Sequence, residues 1–186
     1  RGFVEQGLKG MRAGKAWAGI AALLEVARGD DRKTTASDLG FSVGPRLNAA
    51  GRLDDMSTGI ECLLTDHPGS AYKLALQLDQ LNSDRKQIEA GMRDQAFKYL
   101  NELSIEVEAL PAALCLFDSN WNQGVVGILA SRVKDKYHRP VIAFAAVSSG
   151  NGGVTELKGS ARSIKGFHIR DALDAVASRN PGLISK

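Results

Sequence analysis

Ala112-Ala113-Leu114-Cys115-Leu116-Phe117-Asp118-Ser119-Asn120-Trp121-Asn122-Gln123-Gly124-Val125-Val126-Gly127-Ile128-Leu129 is where the character of the chain changes. An apolar run of strand type, Ala112 to Phe117, gives way to a polar loop. Val125, Ile128, Leu129 and Val133 then recur at the three- and four-residue steps of a helix over Val125 to Lys136. A second apolar run, Val141 to Val147, leads into the turn Ser148 to Gly153. A third strand over Thr155 to Ser163 and a helix over Ile169 to Ala177, entered after Gly166, complete the pattern. The order β, α, β, β, α is that of a small α/β domain. Gly124 and Gly127 are first what close packing of a helix on a strand requires, while the N–H groups at the start of that helix could also bind an anion. Trp121 suits either stacking on a base or covering the core.

Upstream the periodicity is helical. Phe3, Leu8 and Met11, then Trp17, Ile20, Ala21 and Leu24, indicate two helices with a break at Ala13-Gly14, and Gly29 to Thr35 reads as a loop. Thr35 or Ser37 is placed to cap a short helix. Gly44-Pro45-Arg46-Leu47-Asn48-Ala49-Ala50-Gly51-Arg52 puts Pro in a first turn and Gly at an end, so a short helix bracketed by basic side chains is expected there. A further short helix covers Thr58 to Leu64. After Pro68-Gly69, with Ser70 as N-cap, Leu74, Leu78, Leu81, Ile88, Met92, Tyr99 and Leu103 mark a helix from Ala71 to Leu103. At 1.5 Å per residue it is roughly 50 Å long, which exceeds the usual globular helix and reads as a strut between two bodies. The expected architecture is therefore mixed α/β: a helical part at 1–69, a long connector helix at 70–104 and an α/β domain at 105–186.

Composition excludes several classes. The 186 residues carry 24 Lys and Arg against 21 Asp and Glu, a net +3, with 44% hydrophobic residues. That composition describes a folded chain, not a disordered or collagen-like one. No apolar run approaches the roughly 18 to 20 residues of a membrane span, and the start lacks a signal-peptide pattern, so the expected compartment is the cytoplasm. Cys62 and Cys115 are too few for a disulfide framework and read as reduced structural thiols. The charge is uneven: Arg132 to Arg170 holds eight basic residues and two acids, a net +6, which leaves −3 for the rest. Such clustering suits a polyanion, nucleic acid or a phosphorylated compound, and on charge alone it suits a solvated, charge-laced surface as well.

Gly159-Ser160-Ala161-Arg162-Ser163 is the most suggestive local cluster. Arg supplies forked, permanently charged donors, the hydroxyls add more, and the small Gly and Ala admit a ligand to the backbone. Without a ligand the same pentapeptide is a strand end with an exposed Arg. No Gly-Lys-Ser or Gly-Lys-Thr occurs, which excludes a Walker A loop. Asp54, Asp55 and Asp118 lack the converging carboxylates and histidines of a two-metal phosphoesterase, so no metal ligands are assigned.

Taken together, Gly44 to Asp55, Asn122 to Ile128, Leu157 to Ser163 and Gly166-Phe167-His168-Ile169 resemble, in order and over nearly the whole chain, the RecJ single-strand-specific exonucleases of the DHH phosphoesterase superfamily. The resemblance implies a 5′ to 3′ exonuclease on single-stranded DNA in recombination and repair, with Mn²⁺ or Mg²⁺ as cofactor and with repair and replication proteins as further partners. It also implies that residues 1–69 are the tail of the catalytic domain and 105–186 the DHH-associated domain. The chain contains no Asp-His-His and stops before the family's Gly-Gly-His segment, so the expectation is a central fragment, inactive and metal-free alone. Ser160 and Arg162 match the family's Gly-Ser-x-Arg grip on the 5′ phosphate. Arg46, Asn48 and Arg52 match the motif beside the active site, where Arg46 and Arg52 would support the transition state. Gln123 and His168 are weaker substrate-facing candidates. The alternatives are a non-catalytic single-strand-binding module and a phosphodiesterase of short oligonucleotides or cyclic dinucleotides.

Overall fold

A computed structural model describes residues 2–102, 110–148 and 154–185. The chain divides into two units, Arg1–Gln87 and Ile88–Lys186. The architecture is mixed α/β, as the sequence pattern leads one to expect, with helices throughout and one three-stranded sheet.

The described residues of the first unit are helical. Helices α1 (Gly2–Gly10) and α2 (Ala18–Val26) are separated by a π-helical turn in which Gly14 takes φ 73°, a conformation that favours glycine and sets the break where the sequence puts it. Thr35 caps α3 (Ala36–Asp38) through a reciprocal box: its hydroxyl accepts from the Asp38 N–H, while the Asp38 carboxylate accepts from Thr35. A π-helical turn, Leu39–Val43, runs straight into α4 (Gly44–Leu53), which continues two residues past the expected stop at Gly51, and α5 (Ser57–Leu64) follows. Leu23, Leu24, Val43, Ala50, Cys62, Ala71, Ala75 and Leu78 form the core. A side chain at Gly19 would put its Cβ 1.8 Å from the Cys62 carbonyl oxygen, so α2 and α5 cross at glycine contact distance.

Helix α6 spans Pro68–Glu102 and supplies residues to both units. It begins at Pro68, whose missing N–H costs nothing in a first turn, so Ser70 lies inside the helix and is not its cap. The buried line also differs from the expected stripe. Ala71, Ala75, Leu78 and Asn82 are buried in the first unit and Glu89, Met92, Ala96 and Leu100 in the second, whereas Leu74, Leu81 and Ile88 are half-buried and Tyr99 is exposed. Alanine brings neighbouring backbone close, and a pattern built from large apolar residues overlooks it. Leu103 lies outside the described residues.

In the second unit, strands β1 (Leu114–Asp118), β2 (Val141–Ser148) and β3 (Val154–Arg162) form a sheet in that order. β1 and β2 are parallel and β2 and β3 antiparallel. Parallel pairing requires a crossover, and α7 (Val126–Tyr137) is that crossover. Its buried Val126, Leu129, Ala130, Val133 and Tyr137 join a core with Leu114, Leu116, Val141, Ala143 and Ala145. Burial of each large side chain there contributes about 1.5–3 kcal/mol. His138 ends α7 in a left-handed conformation, and Pro140 follows. Trp121 is buried, covering the core as one of its two readings has it, and its Nε1 donates to Gln95 Oε1 at 3.2 Å. Cys115 is exposed, which corrects its reading as a structural thiol. Helix α8 (Ile169–Arg179) closes the described fold, and the turn expected at 148–153 lies, beyond Ser148, outside the described residues. No helix among the described residues is long and apolar enough to cross a membrane.

Candidate functional site

Side chains alternate along β3, so Lys158, Ser160 and Arg162 share one face of the sheet, in register with Ala145, Ala143 and Val141 of β2. Helix α7 lies against that face. Arg162 is half-buried there and held by neutral oxygens: Nε donates to Ser131 Oγ at 2.9 Å, and Nη1 donates to Ser160 Oγ at 3.2 Å and to the Ala161 carbonyl at 2.8 Å. Among the described residues no carboxylate pairs with it. A Cβ at Gly127 would lie 2.9 Å from both Arg162 Nη2 and Ser160 Oγ, so these two donors pack against the bare Cα of a glycine in the first turn of α7. A helix N-terminus carries about half a positive charge, and a guanidinium beside it concentrates potential of one sign. A fixed cation, a hydroxyl and a helix start, with no internal counter-ion among the described residues, are together the chemistry that an anion can use.

Gly159 has a different task from the one expected of it. On the opposite face of the sheet its missing side chain accommodates Phe144, whose Cε1 would be 2.7 Å from a Cβ at that position. It serves packing of the aromatic ring and not approach of a ligand from the Arg162 side.

The remaining candidates are distributed over the two units. Gln123 is exposed in the loop before α7. The neighbouring Asn122 organises that loop, its side chain accepting from the Gly124 N–H at 2.8 Å and its carbonyl from Val125 and Val126. His168 is exposed at the entry to α8, with Nδ1 2.9 Å from Asp171 Oδ1. In the first unit, Arg46 is turned inward: Nη2 lies 2.7 Å from Asp79 Oδ1 of α6 and Nη1 donates to the Ser42 carbonyl at 2.7 Å. Among the described residues its Nε is buried without a hydrogen-bond partner. Asn48 and Arg52, four residues apart on one face of α4, are exposed. The first unit thus brings Asn48 and Arg52 together, and the second brings Ser160 and Arg162 together.

One residue escapes a reading of the sequence: Ser131 contacts Arg162, yet it looks like an ordinary polar position within a helix. Its signal is the four-residue step from Gly127, which places both on the side of α7 that meets β3, and that step has meaning only once β3 is seen to pack there.

Asp55 and Asp118 are locally committed. Asp55 accepts from the Ser57 hydroxyl and N–H, bonds that hold its carboxyl below the ordinary carboxylate range. Asp118 accepts from the Asn120 N–H. Among the described residues no three His, Cys, Asp or Glu side chains gather as a metal site. The described residues therefore do not fit a catalytic metal.

Residues 107–185 match the family model of the DHHA1 domain. The chain is 53% identical over 181 residues to the single-stranded-DNA-specific exonuclease RecJ of Escherichia coli, covering 97% of this chain and 30% of that protein. It is 34% identical over 157 residues to that of Thermus thermophilus, covering 84% of this chain and 22% of that protein. Among solved structures, RecJ in complex with Mg²⁺ from Thermus thermophilus superposes with a TM-score of 0.72 at 28% identity, over 94% of this chain and 25% of that one. Exonuclease RecJ bound to manganese gives a TM-score of 0.73 at 28% identity, over 94% and 40%. The chain thus spans about 30% of the length of the Escherichia coli relative.

Proposed function

The chain belongs to the RecJ family of the DHH superfamily, and on that premise we propose that it serves a metal-dependent 5′ to 3′ exonuclease on single-stranded DNA as the part that receives the 5′-terminal phosphate. Residues 1–69 belong in this reading to the catalytic domain and 105–186 to the DHH-associated domain, with 70–104 as connector. The metal named for the related structures, Mg²⁺ or Mn²⁺, would be held by residues other than these and would, when bound, supply an activated water. Recombination and repair, with their proteins, are the setting.

One observation carries the proposal: Arg162 is half-buried beside the N-terminus of α7, fixed by three neutral acceptors and paired with no carboxylate among the described residues. A phosphate oxygen there meets Arg162 Nη2 and the Ser160 hydroxyl together. Such contacts fix the register of the strand without reading its sequence. Asn48 and Arg52 add an exposed donor pair on α4, and Gln123 and His168 add polar groups at the ends of the loops around α7 and α8.

The test is binding and cleavage of matched single strands with a 5′-phosphate or a 5′-hydroxyl by the exonuclease carrying Arg162→Ala. A charge-assisted hydrogen bond contributes about 1.5–3 kcal/mol, so the preference for the phosphorylated end is expected to fall by about 10- to 150-fold. An unchanged preference removes Ser160 and Arg162 from the site.

A further inference from the structure

Arg162 has five N–H donors, and the way they are distributed is informative. Nε–H goes to Ser131 Oγ, and Nη1 goes to Ser160 Oγ and the Ala161 carbonyl. Among the described residues Nη2 has no hydrogen-bond partner, and it borders Gly127. The guanidinium is therefore presented end-on, with one nitrogen left for a ligand. What fixes its plane is the bond at the other end. Ser131 Oγ also donates to the Gly127 carbonyl at 3.2 Å, four residues back on α7. That bond commits the hydroxyl proton to the helix and leaves the oxygen's lone pairs facing Nε. Ser131 is thereby an oriented acceptor, and Gly127 contributes twice: its carbonyl orients the serine and its bare Cα leaves clearance for Nη2 and Ser160 Oγ.

We infer that Gly127 and Ser131 are positioning residues for the end-group receptor, acting through Arg162 and making no contact with the strand themselves. The inference rests on the reading of Arg162 as the phosphate contact and goes beyond it by naming what gives that contact its geometry. Removal of the Ser131 hydroxyl frees the guanidinium to rotate about its last side-chain torsions, so each productive contact must be made against that freedom. A methyl at Gly127 stands 2.9 Å from both donors and forces them apart. Neither change alters the charge of the site, so general attraction for the DNA backbone is retained while the geometry of the grip is lost.

The experiment measures affinity for 5′-phosphorylated and 5′-hydroxyl single strands in the exonuclease carrying Ser131→Ala, Ser131→Thr or Gly127→Ala, each with Arg162 present and with Arg162→Ala. Ser131→Ala and Gly127→Ala are expected to reduce the preference for the phosphorylated end at least about fivefold, with binding of the 5′-hydroxyl strand unchanged. Ser131→Thr, which keeps the hydroxyl, is expected to restore it. With Arg162 already replaced, neither substitution should change the preference further, because there is no guanidinium left to position.

If Arg162→Ala reduces the preference while Ser131→Ala and Gly127→Ala leave it intact, the positioning role is wrong and the phosphate receptor stands. If Arg162→Ala has no effect, the receptor itself is wrong, and the role assigned to Gly127 and Ser131 goes with it. Equal loss of binding for both strand types, or additive loss on top of Arg162→Ala, assigns the two residues to general structure and overturns the inference. Should Ser131→Ala not fold, Gly127→Ala reads the same geometry from the opposite side of the guanidinium.

Discussion

Arg46 on α4 and Arg162 on β3 come from motifs that read alike as phosphate contacts, yet their surroundings differ in kind. Arg46 has a carboxylate at 2.7 Å and a side chain only 14% exposed. Arg162 has oxygens without charge around it and a glycine flank before it. The first cation is neutralised by its own fold, so its interactions hold α4 on α6; the second meets only neutral acceptors among the described residues. An arginine in a motif is thus a statement about shape until its counter-ion is known. On α4 the side chains that face solvent are Asn48 and Arg52.

The widest separation between the two arginines is expected in stability. Arg46→Ala leaves Asp79 without its cation and the Ser42 carbonyl without its donor, and about 2–4 kcal/mol of unfolding free energy should be lost, read by denaturant titration. The double replacement with Asp79→Asn should cost less than the two single effects combined, since both remove one interaction. Strict additivity would break the comparison, because Arg46 would then owe its position to something other than Asp79.

Thiol labelling sharpens the same contrast. Cys62 is buried in the first unit and burial pushes its thiol up, whereas Cys115 is exposed in the second. A thiol reagent should therefore modify Cys115 at once and Cys62 only through opening of the helical core. In Arg46→Ala the slow phase should accelerate about 30-fold or more, the equivalent of about 2 kcal/mol, and in Arg162→Ala it should not change. Acceleration in both variants would mean that the distinction between a structural and a functional arginine fails. Arg162→Ala is expected to lower stability by only about 1 kcal/mol, because the bonds it loses end on neutral, half-exposed acceptors.

How much of this is legible in the sequence depends on what each inference requires. The β, α, β, β, α order and the break at Gly14 follow from periodicity and from glycine, which are local properties. The parallel pairing of β1 with β2 is not local, and the apolar runs alone do not specify it. The buried line of α6 departs from the leucine pattern because Ala71, Ala75 and Ala96 bury as completely as leucine while scoring as small, and because Asn82 and Glu89 are buried through their bonds to Arg85 and Arg132. In the site, Ser160 and Arg162 are visible as residue types. Their relation to Gly127 and Ser131, and the pairing of Arg46 with Asp79, depend on which elements pack together, and no spacing within one segment encodes that.

The smallest expected difference concerns acid. In the first unit the Thr35 hydroxyl and N–H bond the Asp38 carboxylate and hold its pKa below the ordinary value of 3.8. In the second, Lys134 beside Asp135 does the same to that carboxylate. A carboxyl whose folded pKa is depressed contributes stability that is present above its unfolded pKa and lost as pH falls through the folded one. Both units should therefore weaken over the range from about pH 4 downward. Thr35→Ala removes the hydroxyl bond from the Asp38 box alone, so the acid slope of the first unit should flatten while that of the second is retained, followed by amide hydrogen exchange in each. Because the cap is fully exposed the change in slope is slight. Its location is what matters: flattening in both units would show that the two do not titrate separately, and no flattening in the first would mean that the Thr35 hydroxyl is not what holds Asp38 ionised.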